Sequence, residues 1–452
     1  MMKTYESYKD SGMIFKRMIP MHWSEYRLCV ICKEKCVQNN IQEELLSVYL
    51  NKGVVSYKDT SQKQVHKPSE DMSKYQLVEY GDIVLNNQQA WRGSVGVSKY
   101  RGIVSPAYIV MRTVFDVNPI FMNFLIRDNN VVSQFVLASK GVGSIQRTLY
   151  APYLKNVIIA LPPRIEQDKI VRFLDWKLSK INKLINAKKK QIELLKEQKQ
   201  AIINKAVTKG LDENVPMKDS GVEWLGEIPE HWEILFLFQV AKEQKNSNKE
   251  IHNQNLLSLS YGNIINKNIN TTSGLLPSSF DTYQIINDGN IILRLTDLQN
   301  DHKSLRVGLV TQIGIITSAY TCLSPQENIL PKYLYLQLHS FDICKVFYGM
   351  GGGVRQSIGY KDISKLLILV PNIEEQKDII DFVYHQTNKI DSFVMKINDE
   401  INLLHEYRTR LISDVVTGKV DVRDVVVPDF EAVEEVSEDT EEIDEAFETE
   451  EE

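Results

Sequence analysis

Two stretches of the chain carry apolar residues at alternating steps of four and three, the heptad spacing that is typical of a coiled coil. The first runs from Pro162 to Asp212 and the second from Pro371 to Asp421, so both ends are displaced by 209 residues (371 − 162 = 421 − 212 = 209). Each stretch predicts one helix of about 40 residues, roughly 60 Å long at 1.5 Å per residue. The expected seam positions are Leu174, Leu178, Ile181, Ile185, Ile192, Leu195, Ile390, Val394, Ile397, Ile401, Leu404 and Leu411.

Two equal seams in one chain favour pairing of the two helices with each other, as an antiparallel coiled coil. Lys188, Lys199 and Arg408 interrupt the seam. Such breaks commonly fix the register of a coiled coil at a cost in stability. The alternative is that each helix packs on a globular domain of its own.

The segments before the two helices mix strand-like and helical runs, among them one expected strand that includes residues 102–111. KDSGMIFKRMIPMHW at 9–23 recurs as KDSGVEWLGEIPEHW at 218–232, again displaced by 209 residues. We therefore predict an α+β fold with a pseudo-twofold internal repeat, in which two variable globular heads are separated by long helices. The predicted boundaries are 1–165 for the first head, 166–210 for the first helix, 211–374 for the second head, 375–420 for the second helix and 421–452 for an acidic tail.

The charge of the chain is distributed unevenly. The formal net charge is −6, but residues 429–452 contain 14 acidic residues and no Lys or Arg, so the rest of the chain has a charge of 53 − (59 − 14) = +8. We expect a mildly basic body and a disordered tail. A solubilising role for the tail is favoured over competition for basic surface.

No long apolar run is visible in the sequence. The run ILFLF at 234–238 is far too short to cross a membrane, and the first residues, MMKTYESYKD, lack the apolar core of a signal peptide. Five cysteines in a chain of 452 residues do not make a disulfide scaffold. These features predict a cytoplasmic protein.

Three short motifs recur in the two halves. A Gly followed by Ile-Pro-x-His-Trp opens each half, a Pro-containing segment ending in Glu-Gln opens each helix, and Val-Thr with Gly and Lys closes it. Together, over about residues 4–421, they resemble the specificity (S) subunits of type I restriction-modification enzymes. The motifs are Gly12 with Ile19–Trp23, Pro162–Gln167 and Ala206–Gly210, then Gly221 with Ile228–Trp232, Pro371–Gln376 and Val415–Lys419.

This resemblance implies a DNA-binding subunit with two target-recognition domains, each reading one half of a split, asymmetric double-stranded DNA sequence. The helices would act as a ruler for the unread spacer and as the docking surface for two modification subunits. Those subunits would methylate adenine with S-adenosylmethionine, and restriction subunits could add cleavage that depends on ATP and Mg²⁺. The chain itself is then expected to be non-catalytic and to hold no cofactor.

Arg, Lys, Asn and Gln are the side chains that read base edges, and Lys and Arg also contact phosphates. They are dense in the loop at 86–93, which follows a strand, and after the glycine turn at 141–145, which has a counterpart at 351–354. For each residue the alternative is a solvated side chain or a structural hydrogen bond. The candidate DNA contacts are Asn87, Gln88, Gln89, Trp91, Arg92, Gln146, Arg147, Arg294, Lys303, Arg306, Arg355 and Gln356.

Other chemistry has weak support in the sequence. Cys29, Cys32 and Cys36 have metal-like spacing, but the matching positions of the second half, Phe238, Ala241 and Lys245, include no ligand, so no metal is expected. The Gly349-Met350-Gly351 run lacks the third glycine of a dinucleotide-binding motif. The rival function is a non-catalytic protein-interaction scaffold with two binding modules on a coiled coil.

Overall fold

The structure is a computed structural model, and its contacts divide the chain into two compact units. The first consists of Met1–Ala187 with Asp399–Val436, and the second of Lys188–Asn398 with Ser437–Glu452. The residues that the structure describes are 3–12, 18–50, 52–59, 68–69, 71–142, 146–222, 225–249, 251, 253–268, 279–296, 298, 305–350 and 358–434.

The first unit is built around a four-stranded antiparallel sheet in the order β4-β11-β8-β9. Its strands are β1 (Tyr8–Asp10), β2 (Met18–Pro20), β3 (Ser24–Arg27), β4 (Cys32–Glu34), β5 (Leu46–Tyr49), β6 (Gly53–Ser56), β7 (Gln76–Val78), β8 (Ile83–Asn86), β9 (Val95–Val97), β10 (Gly102–Val104), β11 (Tyr108–Thr113), β12 (Ser139–Val142), β13 (Gln146–Leu149) and β14 (Ile158–Leu161). Strand β3 pairs with β14, β1 with β2, β5 with β6, β7 with β10 and β12 with β13, all antiparallel.

The described residues of the first head also form four short helices. Asn118 caps one of them, because its side-chain oxygen accepts hydrogen bonds from the backbone N–H groups of Ile120 and Phe121, and Pro119 occupies the first turn. The helices are α1 (Leu28–Ile31), α2 (Pro119–Ile126), α3 (Asn129–Leu137) and α4 (Ala151–Leu154), with 3-10 turns at Tyr57–Asp59 and Ala90–Arg92.

Two long helices follow the heads. They are α5 (Arg164–Lys209) and α9 (Ile373–Val416). Each helix has one half in the first unit and the other half in the second. Each unit contains the first half of one helix and the last half of the other, as antiparallel partners require. Buried or half-buried positions along both helices follow the heptad spacing, from Leu174 to Ala206 and from Val383 to Val415.

The second unit repeats this plan. Its four-stranded sheet has the order β18-β25-β22-β23, and β17–β26, β15–β16, β19–β20 and β21–β24 are antiparallel pairs. The elements are β15 (Met217–Asp219), β16 (Glu227–Pro229), β17 (Glu233–Phe236), α6 (Leu237–Val240), β18 (Ala241–Gln244), β19 (Leu257–Ser260), β20 (Asn263–Asn266), β21 (Gln284–Ile286), β22 (Ile291–Leu293), β23 (Val307–Leu309), β24 (Gly314–Ile316), β25 (Thr321–Pro325), α7 (Pro331–Ile343), α8 (Tyr360–Ile363) and β26 (Leu367–Val370), with a 3-10 turn at Val346–Gly349.

The predicted fold class is confirmed, with one strand corrected. The expected strand over residues 102–111 is two strands, β10 and β11, in different sheets. Between them Pro106 has no N–H to donate, and the N–H of Tyr108 closes a turn onto the carbonyl of Ser105 at 3.0 Å. The short turn redirects the chain from one sheet to the next.

The first part of the predicted disordered tail is ordered in the first unit. Residues 421–434 lie along the first half of α5, where Asn182 Nδ2 donates to the carbonyl of Val433 at 2.9 Å. The hydroxyl of Ser179 donates to the carbonyl of Glu431 at 2.7 Å and accepts from the N–H of Val433 at 2.8 Å. Side chains of α5 hydrogen-bond to the backbone of this segment. Such contacts do not depend on the acidic side chains, so the composition of the segment does not predict them. Residues 435–452 lie outside the described part of the chain.

Among the described residues, no helix is long and apolar enough to span a membrane.

Candidate nucleic-acid interface

A carboxylate at the start of α5 joins the opening motif of the first head to the long helix. Glu166 is 5% exposed, and its Oε1 accepts hydrogen bonds from Tyr5 Oη at 2.6 Å and Trp23 Nε1 at 3.1 Å, while its Oε2 lies 2.7 Å from His22 Nε2. Burial and the hydrogen bond to Glu166 raise the pKa of Tyr5 above its usual range. His22 and Trp23 therefore have a structural role in this head.

The second unit repeats this arrangement with one donor fewer. Glu375 Oε1 accepts from Trp232 Nε1 at 2.9 Å, and its Oε2 lies 2.9 Å from His231 Nε2. The position that matches Tyr5 after a displacement of 209 residues is Asn214. The Ile-Pro-x-His-Trp and Glu-Gln motifs recur together because they bind each other in each unit.

The glutamine of each Glu-Gln pair fixes the long helix to the head by its amide. Gln167 Oε1 accepts from the N–H of Asn118 at 2.9 Å and Gln376 Oε1 from the N–H of Leu330 at 2.8 Å, just before α2 and α7. The Nε2 of Gln167 donates to the carbonyl of Pro162 at 3.0 Å. A side chain with both a donor and an acceptor is needed for this pair of contacts.

The glycine after each long helix packs on the opening motif of a head. Gly418 belongs to the first unit, and a Cβ there would lie 2.5 Å from Pro20 Cδ and 3.2 Å from Trp23 Cη2. Gly210 belongs to the second unit, and a Cβ there would lie 3.2 Å from Trp232 Cζ2. Each unit thus contains the C-terminal end of the helix that follows the other head in sequence.

Two segments that are distant in sequence, near Lys3 and near Asp421, meet in the first unit. The N–H of Asp421 donates to the carbonyl of Lys3 at 2.8 Å, and the guanidinium of Arg423 lies 5.0 Å from the centre of the Tyr5 ring. In the second unit the corresponding connection, residues 211–216, is one continuous piece of chain. Residues 421–423 therefore contribute to the base of the first head.

The loop after β8 brings together several candidate DNA contacts. Gln88, Gln89 and Arg92 are exposed, while Asn87 and Trp91 are half-buried. The indole Nε1 of Trp91 donates to the carbonyl of Gln88 at 2.8 Å, which holds the ring against its own loop.

The hairpin β12–β13 meets this loop. The N–H of Leu149 donates to the carbonyl of Asn87 at 3.0 Å, and the guanidinium of Arg147 lies 5.8 Å from the centre of the Trp91 ring. The guanidinium of Arg92 lies 4.8 Å from the same ring. Two loops that are more than fifty residues apart in sequence therefore form one cationic and aromatic cluster, Trp91, Arg92 and Arg147. The strand position of Gln146 belongs to the same hairpin.

The second head differs at the matching positions. Arg294 is half-buried beside β22, and its N–H donates to the carbonyl of Arg306 at 2.9 Å. The prediction of a DNA contact is wrong for Arg306, because this residue is 0% exposed. Its Nη1 donates to the carbonyl of Thr296 at 2.8 Å and its Nε donates to Tyr348 Oη at 3.1 Å. Lys303, Arg355 and Gln356 lie outside the described residues.

Charged seam residues have partners across the helix pair. In the second unit Lys199 Nζ lies 2.7 Å from Asp391 Oδ1. In the first unit Arg408 Nη1 donates to Asn182 Oδ1 at 3.4 Å. Lys199 and Arg408 are 209 residues apart, as are Asn182 and Asp391, so these two contacts are repeat copies of each other. The predicted seam positions on α5 and α9 are buried or half-buried.

The cysteine cluster shows no ligand set. Cys29 and Cys36 are exposed, whereas Cys32 is buried, and burial raises the pKa of its thiol to about 11. Within the described ranges no three His, Cys, Asp or Glu side chains are grouped as a metal site would need.

Two residues that the sequence analysis did not select lie near the loop after β8. Arg127, at the end of α2, and Asn182, on α5, line the same cleft as Arg92. A cationic residue just after a helix, such as Arg127, is too common to identify this site from the sequence. Arg408 lines the same cleft, and its only signal in the sequence is that it interrupts the heptad seam.

No protein-family model matches the chain, but individual relatives do. It is 26% identical over 378 residues to the putative type I restriction enzyme MjaX specificity subunit of Methanocaldococcus jannaschii, covering 78% of this chain and 81% of that protein. It is 24% identical over 364 residues to the MjaVIII specificity subunit of the same organism, covering 77% and 81%.

A solved structure gives the same fold. It comes from work on complex assembly and conformational transition of a type I R-M system, and it matches 89% of this chain and 99% of its own with a TM-score of 0.53 and 14% identity. The sequence relatives and this structure each cover more than three quarters of the chain. Over most of its length the chain is therefore similar to type I restriction-modification specificity subunits.

Proposed function

We propose that this chain recognises a bipartite, asymmetric DNA target on behalf of a type I restriction-modification complex. The first head reads one half-site and the second head reads the other. The paired helices set the unread spacer and dock two modification subunits. Adenine methylation with S-adenosylmethionine, and cleavage that depends on ATP and Mg²⁺, belong to the partner subunits.

The observation that carries this proposal is a constant framework that holds unlike surfaces. Glu166 and Glu375 make the same contacts in the two units, whereas the loops after β8 and β22 differ in sequence and in burial. Trp91, Arg92 and Arg147 form an accessible cluster in the first head, and the matching region of the second head buries Arg306. Two heads that read different sequences need such a difference.

The chemistry of the first cluster suits DNA. A guanidinium presents a rigid fork of donors that matches guanine and phosphate oxygens, and it also stacks on aromatic rings. Gln88 and Gln89, exposed on the same loop, supply the amide groups that pair with adenine. A basic body, with charge +8 outside residues 429–452 (53 − 45), adds attraction to phosphates without regard to sequence.

The test is adenine-methylation mapping in a host without other adenine methylation, which co-expresses this chain with its cognate modification subunit. We expect one split motif with two unlike halves. Exchanging residues 1–165 for the first head of a relative should change one half of that motif and leave the other half and the spacer unchanged.

The matched control exchanges residues 211–374 instead, and it should change the other half alone. A soluble complex that methylates no motif would contradict the proposed function, provided that a complex with a relative's specificity subunit is active in the same host. If either exchange altered both half-sites, the division of reading between the two heads would be wrong.

A further inference from the structure

Two exposed tyrosines lie beside a lysine at the start of α4, in the first head. Tyr150 and Tyr153 are 42% and 48% exposed, and their ring centres lie 5.1 Å apart in an edge-to-face arrangement. Lys140 Nζ, from β12, lies 3.9 Å from the centre of the Tyr150 ring and 5.2 Å from that of Tyr153. These three residues form the tyrosine cluster. Two aromatic rings that share one ammonium group hold it in a defined place on the surface.

The second head shows that the fold does not need these rings. Helix α8 is the repeat copy of α4, displaced by 209 residues. At the positions of Tyr150 and Tyr153 the second head has Gly359 and Asp362. The carboxylate of Asp362 accepts a hydrogen bond from the N–H of Gly359 at 2.8 Å, at the start of its own helix. The same helix thus forms without aromatic side chains, and the tyrosine cluster is a feature of the surface of the first head.

The hairpin β12–β13 connects the tyrosine cluster to the loop that carries Trp91. In its register Lys140 is opposite Thr148, and the next pair is Gly141 with Arg147. Because neighbouring side chains on a strand point to opposite faces, Lys140 and Arg147 lie on the two faces of the hairpin. Arg147 meets Trp91 on one face, and Lys140 meets the two tyrosines on the other.

The dimensions of such a hairpin suit the major groove of DNA, which admits a two-stranded ribbon. With side chains on both faces a hairpin is about 10 Å thick, and the groove is about 12 Å wide. A hairpin that enters the groove edge-on therefore brings both of its faces within reach of the phosphates that border the groove. Lysine ammonium groups and tyrosine hydroxyls are common donors to phosphate oxygens.

We propose that the tyrosine cluster binds backbone phosphates beside the half-site that the first head reads. This inference rests on the proposed DNA recognition and assigns different tasks to the two faces of the hairpin. The face near Trp91 meets bases, whereas the ammonium of Lys140 and the hydroxyls of Tyr150 and Tyr153 hold the strand. The contact is independent of sequence, so it raises affinity for target and non-target DNA alike and leaves the recognised bases unchanged. In the second head a carboxylate, Asp362, would repel phosphate at the matching position, so we expect this contact in the first head alone.

The experiment measures the DNA affinity of the full chain in complex with its cognate modification subunit, between about 50 and 200 mM salt. One duplex contains the methylated motif and the other lacks both half-sites. Lys140→Gln should weaken binding of both duplexes by about threefold to tenfold near 100 mM salt and reduce the slope of log affinity against log salt by about one. Lys140→Arg keeps the charge and should keep that slope. The methylated motif should be the same in every variant.

The tyrosine hydroxyls are tested with the rings in place. Tyr150→Phe combined with Tyr153→Phe removes both hydroxyls and keeps the two rings that hold Lys140. This double variant should weaken binding of both duplexes by about threefold to tenfold, because two hydrogen bonds are lost. Its salt slope should be unchanged, because no charge is removed. A purely structural role of the rings would leave its affinity equal to that of the wild type.

Matched controls come from the opposite end of the four-stranded sheet of the first head. Tyr80→Phe removes an exposed hydroxyl just before β8, whereas the loop that carries Trp91 follows this strand. Lys33→Gln removes an exposed lysine of β4, which is opposite Arg112 in the register. Both controls should bind the two duplexes as the wild type does, with the same salt slope.

Two results would overturn the proposal. If the wild-type complex binds its target, and Lys140→Gln and the double Tyr→Phe variant keep its affinity and salt slope, the tyrosine cluster holds no phosphate. If these variants lose affinity for the target duplex alone, or methylate a different motif, the tyrosine cluster reads bases. A wild-type complex that binds no DNA would instead contradict the proposed function itself.

Discussion

The two units of this chain differ least where head and helix join and most where the heads present their loops. Both units bury a tryptophan against a glutamate at the start of a long helix, at 3.1 Å in the first and 2.9 Å in the second. By contrast, the first head leaves Arg92 exposed and Arg147 half-buried beside Trp91, whereas the second buries Arg306 in its interior.

This contrast separates two kinds of constraint. Contacts at the base require one geometry, since a buried donor that loses its partner costs about 1–3 kcal/mol. The loops carry no such requirement, because exposed polar groups can be satisfied by water. The repeat therefore keeps one framework geometry while its surface loops vary, which is what the proposed reading of two unlike half-sites requires.

The largest expected difference between the two units comes from removing the carboxylates of Glu166 and Glu375. Glu166→Ala would leave Tyr5, His22 and Trp23 without their shared acceptor, and we expect a loss of about 4 kcal/mol in the free energy of unfolding. Glu375→Ala would remove the acceptor of only His231 and Trp232, and we expect it to lower the free energy of unfolding by about 2 kcal/mol. Urea unfolding of the two variants measures both values.

Tyr5→Phe in the wild-type and Glu166→Ala backgrounds is the control for the extra donor. It should cost about 1–2 kcal/mol in the wild type and little in Glu166→Ala, where the acceptor of Tyr5 is already gone. Equal losses for the two alanine variants would show that the hydrogen bond from Tyr5 adds nothing to the first unit.

A second prediction concerns a histidine of the second unit. Burial, and then the nearby charge of Lys199, lower the pKa of His339 to about 4. In the unfolded chain His titrates near 6.5, so between these values the unfolded state binds a proton that the folded state does not. Stability contributed by neutral His339 is therefore complete above about pH 6.5 and falls as the pH decreases to about 4, by up to roughly 3 kcal/mol.

His339→Gln should reduce the slope of unfolding free energy against pH in that window. Lys199→Gln should reduce it less, since burial is the larger cause of the shift. His385 on α9 is exposed, so His385→Gln is the matched control, with the wild-type slope expected. An unchanged slope in His339→Gln would rule out its buried neutral state.

A third and smaller difference concerns the glycines that follow the long helices. Gly418 has φ +77° and a Cβ there would meet Pro20, whereas Gly210 has φ +72° and a looser contact with Trp232. Left-handed backbone costs a residue with a Cβ about 1–2 kcal/mol, and the clash adds to it. We expect Gly418→Ala to lose about 3 kcal/mol and Gly210→Ala about 1.5 kcal/mol in thermal or urea unfolding. Equal losses would mean that Pro20 moves away freely.

Part of the candidate site could be predicted because its signal is local. A loop rich in Asn, Gln and Arg after a strand identified Gln88, Gln89 and Arg92, which the structure leaves exposed. Arg306 could not be judged in this way, because its burial depends on Thr296 and Tyr348, which fold around it from other segments. Arg127 was missed for the same reason, since its cleft exists only after the head meets the helices.

The sequence by itself determined the repeat, the two long helices and the stripe that they bury, because heptad spacing and duplicated motifs are properties of order along the chain. Only the tertiary structure decided which copies meet. Gly418 packs on Pro20 and Trp23 at the opposite end of the chain, and residues 421–434 lie along α5 despite their acidity. Residue spacing along the chain determines which face of a helix is apolar. Which segment packs against that face depends on complementary shape and on hydrogen-bonding groups that need a partner, and both exist only in the folded structure.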